Sequence, residues 1–401
     1  MAVVKVKFRP SAVAGKEGAI YFQIIHKGLV RQITTRFRLF SGEWNVRSGR
    51  IVVADDGRRD SLRAVQTNIN RSVYRLRSVI RGLDDSMADY TADDVVSAYL
   101  KRNRELSFYG FMDKIIAQKQ LMGRDRTSET YMAALRSVMQ FRRNRDFLLD
   151  EIDTDMLLMY EGFLRTKGLT KNSRSFYMRI VRAVYNLAVG EKLVTQSYPF
   201  RSVYTGIDKT VKRFIPLDAV KRIKNLKLSS RPALDFARDM FLFSFYTRGM
   251  SFVDMAYLRK EYLQNGMLVY RRRKTGQLLF IKWEECMQKV IDKYQAEDAV
   301  TPYILPILGH GGEGDRKCYK NALYRVNRNL KSVARMACVD VPLTMYCARH
   351  SWARIARNKQ IPVSVISEGM GHNSEMTTRI YLASMDKTVI DEANKRILND
   401  L

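Results

Sequence analysis

The chain is poor in the residues that build covalent frameworks and cofactor cradles. Only four cysteines occur in 401 residues, and Cys286, Cys318, Cys338 and Cys347 show no Cys-x-x-Cys spacing. Neither a disulfide scaffold nor a zinc site is indicated, and the four read as reduced packing residues. No Gly-x-x-x-x-Gly-Lys-Ser/Thr loop is present to cradle a nucleotide. No run approaches the roughly 20 apolar residues of a membrane span. The opening Met1-Ala2-Val3-Val4-Lys5 leads into alternating charge without an apolar signal core. A globular cytoplasmic chain without a membrane partner is expected. Low-complexity tracts and internal repeats are also absent, so domains have to be told apart by pattern alone.

Acidic residues are in short supply, with 41 Asp+Glu against 70 Lys+Arg, a formal charge of +29 and a pI near 10.0. That excess is more than solubility requires and points to a polyanion. Charge alone fits nucleic acid, a ribosome or a membrane surface equally. With 46% hydrophobic residues, the chain can form two or three domains, each with its own core.

Val4 to Arg9 alternates apolar and basic residues at the strand period, as do Ile33, Thr35, Phe37 and Leu39 against Arg36 and Arg38. Ala19 to Ile25 is read as the strand between them, with His26-Lys27-Gly28 as a turn and Phe40 to Trp44 closing the unit. The result is a small sheet with a basic face carrying Lys5, Lys7, Arg36 and Arg38, for either DNA or solvent. After a turn at Asp55-Asp56-Gly57, the residues Leu62, Val65, Ile69, Val73, Leu76 and Ile80 recur at helical spacing.

From about Ser107 to Phe200 the pattern is helical. One stripe holds Tyr131, Leu135, Val138 and Phe141, a second Ile152, Met156, Met159, Tyr160 and Phe163, and a third Tyr177, Ile180, Val184 and Leu187. Lys171, Arg174, Arg179 and Arg182 decorate the third helix as a backbone clamp or a solvated face. Tyr204 to Arg213, including Lys212, reads as a short basic linker that would let two domains close around a duplex. Pro216 suits the first position of a new helix. Beyond residue 381, Val389, Ile390, Ala393, Ile397 and Leu401 form an apolar stripe, for docking on a neighbouring copy or for packing on their own domain.

The chemical signal lies further on. Leu268-Val269-Tyr270 and Leu278 to Ile281 flank Arg272-Arg273-Lys274-Thr275-Gly276, which reads as a hairpin with Lys274 at its tip. Then come Arg349-His350-Ser351, Gly371-His372-Asn373 and Tyr381. Attack on a phosphodiester needs positive donors on the non-bridging oxygens, an in-line nucleophile and an acid for the leaving oxygen. Arg349, His372, Tyr381 and Lys274 are of the right types for these tasks.

In order and spacing, Tyr346-Cys347-Ala348-Arg349-His350, Gly369-Met370-Gly371-His372 and Thr377-Thr378-Arg379-Ile380-Tyr381 resemble the motifs of the tyrosine recombinase (phage integrase) family. The segment Gly168 to Leu187 resembles that family's core-DNA-binding domain. The resemblance implies a multidomain α+β chain. Its parts would be a small N-terminal arm-binding sheet with a linking helix (1–102), an all-α SAM-like core-binding bundle (103–205) and a mainly α catalytic domain with a small sheet (212–401).

It further implies a site-specific recombinase in which Tyr381 forms a 3′-phosphotyrosine and Lys274 protonates the leaving 5′ oxygen. No cofactor, ATP or metal would be needed. Its partners would be double-stranded core and arm DNA, three further copies in a DNA-bound tetramer, and DNA-bending accessory proteins. An N-terminal sheet favours a mobile-element integrase.

Two positions depart from the family. Gly249 to Leu258 aligns with the arginine box but places Ser251 where the family has its first arginine, leaving Arg248 or Arg272 to substitute, with Arg248 preferred. Tyr346 stands where histidine or lysine is usual and can give a hydrogen bond but no charge at neutral pH. His350 reads as a buried structural donor. An invertase or resolvase, and a catalytically weak DNA-binding accessory protein, remain the alternatives.

Overall fold

Alternation in the first forty residues produces three antiparallel strands in the order β1 (Val3–Arg9), β2 (Gly18–His26) and β3 (Leu29–Leu39). Our computed structural model describes residues 1–53, 57–86, 89–208, 210, 213–294, 301–308, 316–382 and 398, in two compact units, Met1–Asp208 and Lys209–Leu401. Lys27 and Gly28, both at positive φ, make the two-residue turn between β2 and β3. Ile20, Phe22 and Ile24 on the inner face of β2 are fully buried. Two helices, α1 (Arg59–Ser86) and α2 (Ala92–Leu106), complete this core with Leu62, Ile69, Leu76, Val95 and Tyr99. Lys5, Lys7 and Arg38 stand exposed on the outer face. A two-strand ribbon, β4 (Trp44–Asn45) with β5 (Arg50–Ile51), closes the sheet region.

The same unit holds a four-helix bundle of α3 (Phe108–Leu121), α4 (Asp125–Phe141), α5 (Thr154–Thr166) and α6 (Lys171–Gly190). Ser107, Asp153 and Thr170 cap α3, α5 and α6 by accepting from Gly110, Met156 and Ser173 backbone N–H groups. Two stripe residues depart from expectation. Met159 is 59% exposed and Leu187 43%. Met159 lies at the rim of a face centred on Met156, Leu157, Tyr160 and Leu164. Leu187 is rotated about a third of a turn from Met178, Val181, Tyr185 and Ala188.

Ionic contacts join sheet, linking helix and bundle. Arg36 donates to the Asp146 carbonyl at 2.6 Å and pairs with Glu151 at 3.1 Å; Arg71 pairs with Asp153, and Arg75 with Asp150. Arg36 therefore departs from the expected free basic face, because the bundle supplies its acceptors.

In the second unit, α7 (Leu217–Lys224) starts one residue after Pro216, which is the N-cap and not the first helical residue. Around α8 (Pro232–Tyr246) pack α9 (Phe252–Ala256), α10 (Glu285–Tyr294), α11 (Arg316–Met336) and α12 (Met345–Asn358). The strands β6 (Leu263–Gln264), β7 (Met267–Arg271) and β8 (Leu278–Lys282) form an antiparallel sheet in that order. Two short helices follow, α13 (Val363–Gly369) and α14 (Glu375–Leu382). No helix among the described residues is long and apolar enough to cross a membrane. Asp55, Asp56, Lys212 and the apolar stripe from Val389 to Leu401 lie outside the described residues.

Buried Asp235 and Asp239 on α8 are matched by Arg238 and Lys293, with the Tyr294 hydroxyl donating to Asp239. Burial pushes the Asp239 carboxyl up, but hydrogen bonds from Arg238, Lys293 and Tyr294 outweigh it and hold the pKa below the usual value. A carboxyl lowered on folding contributes stability above its unfolded pKa and loses it as pH falls through the folded one. Asp239→Asn is expected to cost about 3 kcal/mol at pH 7. The gap to the native chain should narrow below about pH 4. Denaturant unfolding at both pH values checks this, and an unchanged midpoint at pH 7 would refute it.

Candidate active site

The turn after α8 sets the floor of the site. Arg248 and Gly249 both take positive φ, and Gly249 lies so close to α12 that an added Cβ would stand 2.6 Å from the Arg349 Cα. The Gly249 carbonyl accepts from Arg349 Nη1 at 2.9 Å. Ser251 serves as the N-cap of α9, its hydroxyl bonding to the Asp254 carboxylate at 2.6 Å. The other Asp254 oxygen accepts from the Arg273 backbone N–H at 2.9 Å. The serine in the expected arginine position thus helps to hold the aspartate that anchors the hairpin.

In the hairpin, Arg271 pairs with Leu278 and the loop runs from Arg272 to Gln277. The Arg272 N–H bonds to the Gln277 carbonyl, and Gly276 supplies the left-handed residue that lets the loop close. Lys274 is exposed at the tip. Arg272 turns inward, is 8% exposed, and donates Nη1 to the Gly371 carbonyl at 2.6 Å. Its Nε has no hydrogen-bond partner, and the residue makes no ion pair, among the described residues.

Arg349, on α12, is buried and donates Nη2 to the Met370 carbonyl at 2.6 Å. The same nitrogen lies 3.0 Å from His372 Nε2. A guanidinium only donates, so Nε2 must accept and the imidazole proton sits on Nδ1. Nδ1 then donates to Thr378 Oγ1, 2.7 Å away. Burial first, then the charges of Arg349, Arg272 and Lys274, push the His372 pKa down to about 4. His372 is therefore neutral at physiological pH.

Arg349, His372, Arg272 and Lys274 are thus brought together. Arg248 instead donates Nη1 to the Phe280 carbonyl of β8 at 3.2 Å, so of the two substitutes Arg272 is the one bonded beside His372. Tyr346, 54% exposed, stacks edge-on against buried His350 at 4.6 Å between ring centres. Tyr381 belongs to α14, three residues after Thr378, and its side chain lies outside the described residues.

The basic residues of α6 do more internal bonding than their pattern suggests. Arg182 donates to Thr205 Oγ1, Ser175 to the Gly206 carbonyl, and Asn172 bonds the Asp208 backbone. Lys171 pairs with Asp208 and lies over the Tyr204 ring, while Arg174 donates to the Leu169 carbonyl and approaches Glu161. Arg179 is half-buried. Residues 204–208 are consequently a strap pinned along α6. A basic surface missed by the sequence reading is α11, where Arg325, Arg328, Lys331 and Arg335 are exposed. The signal was available: its 21 residues contain no acid.

Residues 107–204 match the model of the phage integrase SAM-like domain. No curated protein matches the chain. A lambda integrase dimer bound to a COC′ core site is 14% identical, with 93% of this chain and 96% of that one covered and a TM-score of 0.54. A lambda integrase tetramer bound to a Holliday junction is 16% identical, with 84% and 90% covered and a TM-score of 0.53. The Tn1549 transposon integrase in complex with a circular intermediate DNA is 14% identical, with 73% and 99% covered and a TM-score of 0.50. At these identities the structural likeness shows a shared fold. The domain match adds that residues 107–204 are similar to a phage integrase SAM-like domain.

The two turn glycines separate backbone strain from crowding. Gly276 has open space where a Cβ would go, so Gly276→Ala is expected to cost only the left-handed strain, about 1 kcal/mol. Gly249→Ala adds a clash with the α12 backbone and is expected to cost about 3 kcal/mol. Denaturant unfolding of both variants tests the ranking; equal losses would mean that the approach to Arg349 is not tight.

Proposed function

We propose that the chain is a site-specific recombinase of a mobile element, which cuts and rejoins DNA through a 3′-phosphotyrosine at Tyr381. The observation that carries this reading is the buried Arg272 guanidinium, which makes no ion pair among the described residues and, with Arg349 and exposed Lys274, acts on His372. A buried cation lacking a counterion is costly, and an anion placed between these groups relieves the cost. A phosphodiester is the anion that the nearby histidine and the tyrosine-bearing helix suit.

In this reading Arg349 and Arg272 neutralise the non-bridging oxygens, Arg272 taking the role of the arginine absent at Ser251. Arg248 supports the hairpin from its other side, and Tyr346 adds one hydrogen bond. The Tyr381 oxygen bonds to phosphorus as the bond to the 5′ oxygen breaks. Lys274 gives that oxygen a proton, while His372 Nε2, released as Arg349 Nη2 turns to the phosphate oxygen, accepts the phenolic one. The phosphate charge offsets the three cations that hold the histidine pKa down, so DNA binding strengthens this base. The energy of the broken bond is kept in the phosphotyrosine, and rejoining requires no ATP.

Lys5, Lys7 and Arg38 are proposed to contact arm DNA, with Arg36 serving the sheet-to-bundle joint instead. At the core site we assign contacts to the exposed face of α11 and to Lys171 and Arg179, with Arg174 and Arg182 holding the strap. Likeness to the integrases of lambda and of Tn1549 favours a mobile element over a resolvase. The Holliday-junction tetramer of lambda integrase is the assembly proposed for this chain.

Nicked duplex carrying an attachment site is expected to trap a denaturant-resistant adduct with the native chain and none with Tyr381→Phe. Arg272→Ala should slow that step about 10²-fold or more. Arg248→Ala, losing one neutral-acceptor hydrogen bond, should slow it by about tenfold at most. Tight, salt-sensitive site binding without an adduct would instead favour an accessory DNA-binding protein. Replacing Arg328 and Lys331 with alanine should lower the slope of log K against log salt by about 2. Fluorescence anisotropy over a salt series reads it, and an unchanged slope would remove α11 from the interface.

A further inference from the structure

We propose that Thr378 is a positioning residue for strand cleavage: its hydroxyl accepts the hydrogen bond from the Nδ1 proton of His372 and ties the imidazole to the helix that carries Tyr381. The inference rests on the recombinase reading for its consequence, but its physical core is independent of it.

Thr378 has no exposed surface, and its Oγ1 lies 2.7 Å from His372 Nδ1. On the opposite side of the ring, Nε2 faces Arg349 Nη2 at 3.0 Å. With a proton on Nε2, two donors would confront each other there, and Nδ1 would be left to accept. Arg349 therefore sets the tautomer, with the lone pair on the Nε2 side, and the hydroxyl at residue 378 accepts from the Nδ1 proton and holds the ring in that orientation. That is the side on which a proton has to be received. A valine at 378 would have nearly the same shape but would leave a buried N–H without an acceptor.

The neighbouring Thr377 is exposed and bonds Ser374 instead, so two adjacent threonines of the same motif differ in what they can do. Thr378 and Tyr381 are three residues apart on α14, close to one helical turn. A displacement of α14 that carries the tyrosine away also withdraws the hydroxyl from His372. The base is therefore oriented only when the nucleophile's helix is seated, which couples the two halves of the proton transfer through one hydrogen bond.

Selective ¹⁵N-histidine labelling of the full chain reads the tautomer directly, since there are only four histidines to assign. The native chain and Thr378→Ser should show His372 protonated at Nδ1 with Nε2 bare. Thr378→Val should keep this tautomer, which Arg349 sets, but lose the Nδ1–H cross-peak to solvent exchange. In single-turnover cleavage of a nicked site, Thr378→Val should be about 10²-fold slower with a displaced pH profile. Thr378→Ser and Thr377→Val should stay near the native rate, and near-ultraviolet circular dichroism confirms that the variants fold. A native Nδ1–H signal and native rate in Thr378→Val would overturn the proposal. So would equal losses in the serine and valine variants with the Nδ1–H signal unchanged, which would mark a packing role. Should the native chain itself form no adduct on a site it binds, the recombinase reading fails, and with it the catalytic role of Thr378. The Nδ1–H signal then reports separately on whether the hydrogen bond exists.

Discussion

The second unit is organised around the Arg349 guanidinium. One side chain ties together the turn after α8 through the Gly249 carbonyl, the end of α13 through the Met370 carbonyl, and the imidazole of His372. These three acceptors are neutral, and what they contribute is orientation of the guanidinium. Elsewhere in the same unit the opposite solution is used: Asp235 and Asp239 meet Arg238 and Lys293 in a closed set. One cluster serves the fold, and the other leaves a positive field where an anion can be received.

The rest of the site follows from that orientation. Gly249 has to be a glycine because α12 passes too close for any side chain. Asp254, held by the Ser251 hydroxyl, fixes the Arg273 backbone and with it the loop between β7 and β8. Arg272 then meets the Gly371 carbonyl from the hairpin side, as Arg349 meets Met370 from the helix side. Two cations thus approach consecutive carbonyls of the turn that presents His372.

Much of this was legible in the sequence where the signal was local. The strand period gave β1, β3, β7 and β8, and Lys27-Gly28 fell at the turn between β2 and β3. What could not be read were the partners that side chains find across the fold. Arg36 looks identical to Arg38 in the pattern, yet Asp146 and Glu151 claim it. Arg182 and Lys171 resemble a free basic face but bind the strap. Alternation at the hairpin leaves open which of three consecutive arginines turns inward; the Gly371 carbonyl decides for Arg272. Thr378 stood in a quoted motif without a role, because only the imidazole opposite gives its hydroxyl a task. The acid-free run of α11 was readable from composition and passed unnoticed.

The cap at Ser251 also constrains redesign of the chain. An arginine placed at that position removes a side chain that closes the first turn of α9, a loss on the order of 1 kcal/mol. It also frees the Asp254 carboxylate from its hydroxyl partner and with it one anchor of the hairpin backbone. A second cation in this part of the molecule therefore has to come with a new cap for α9.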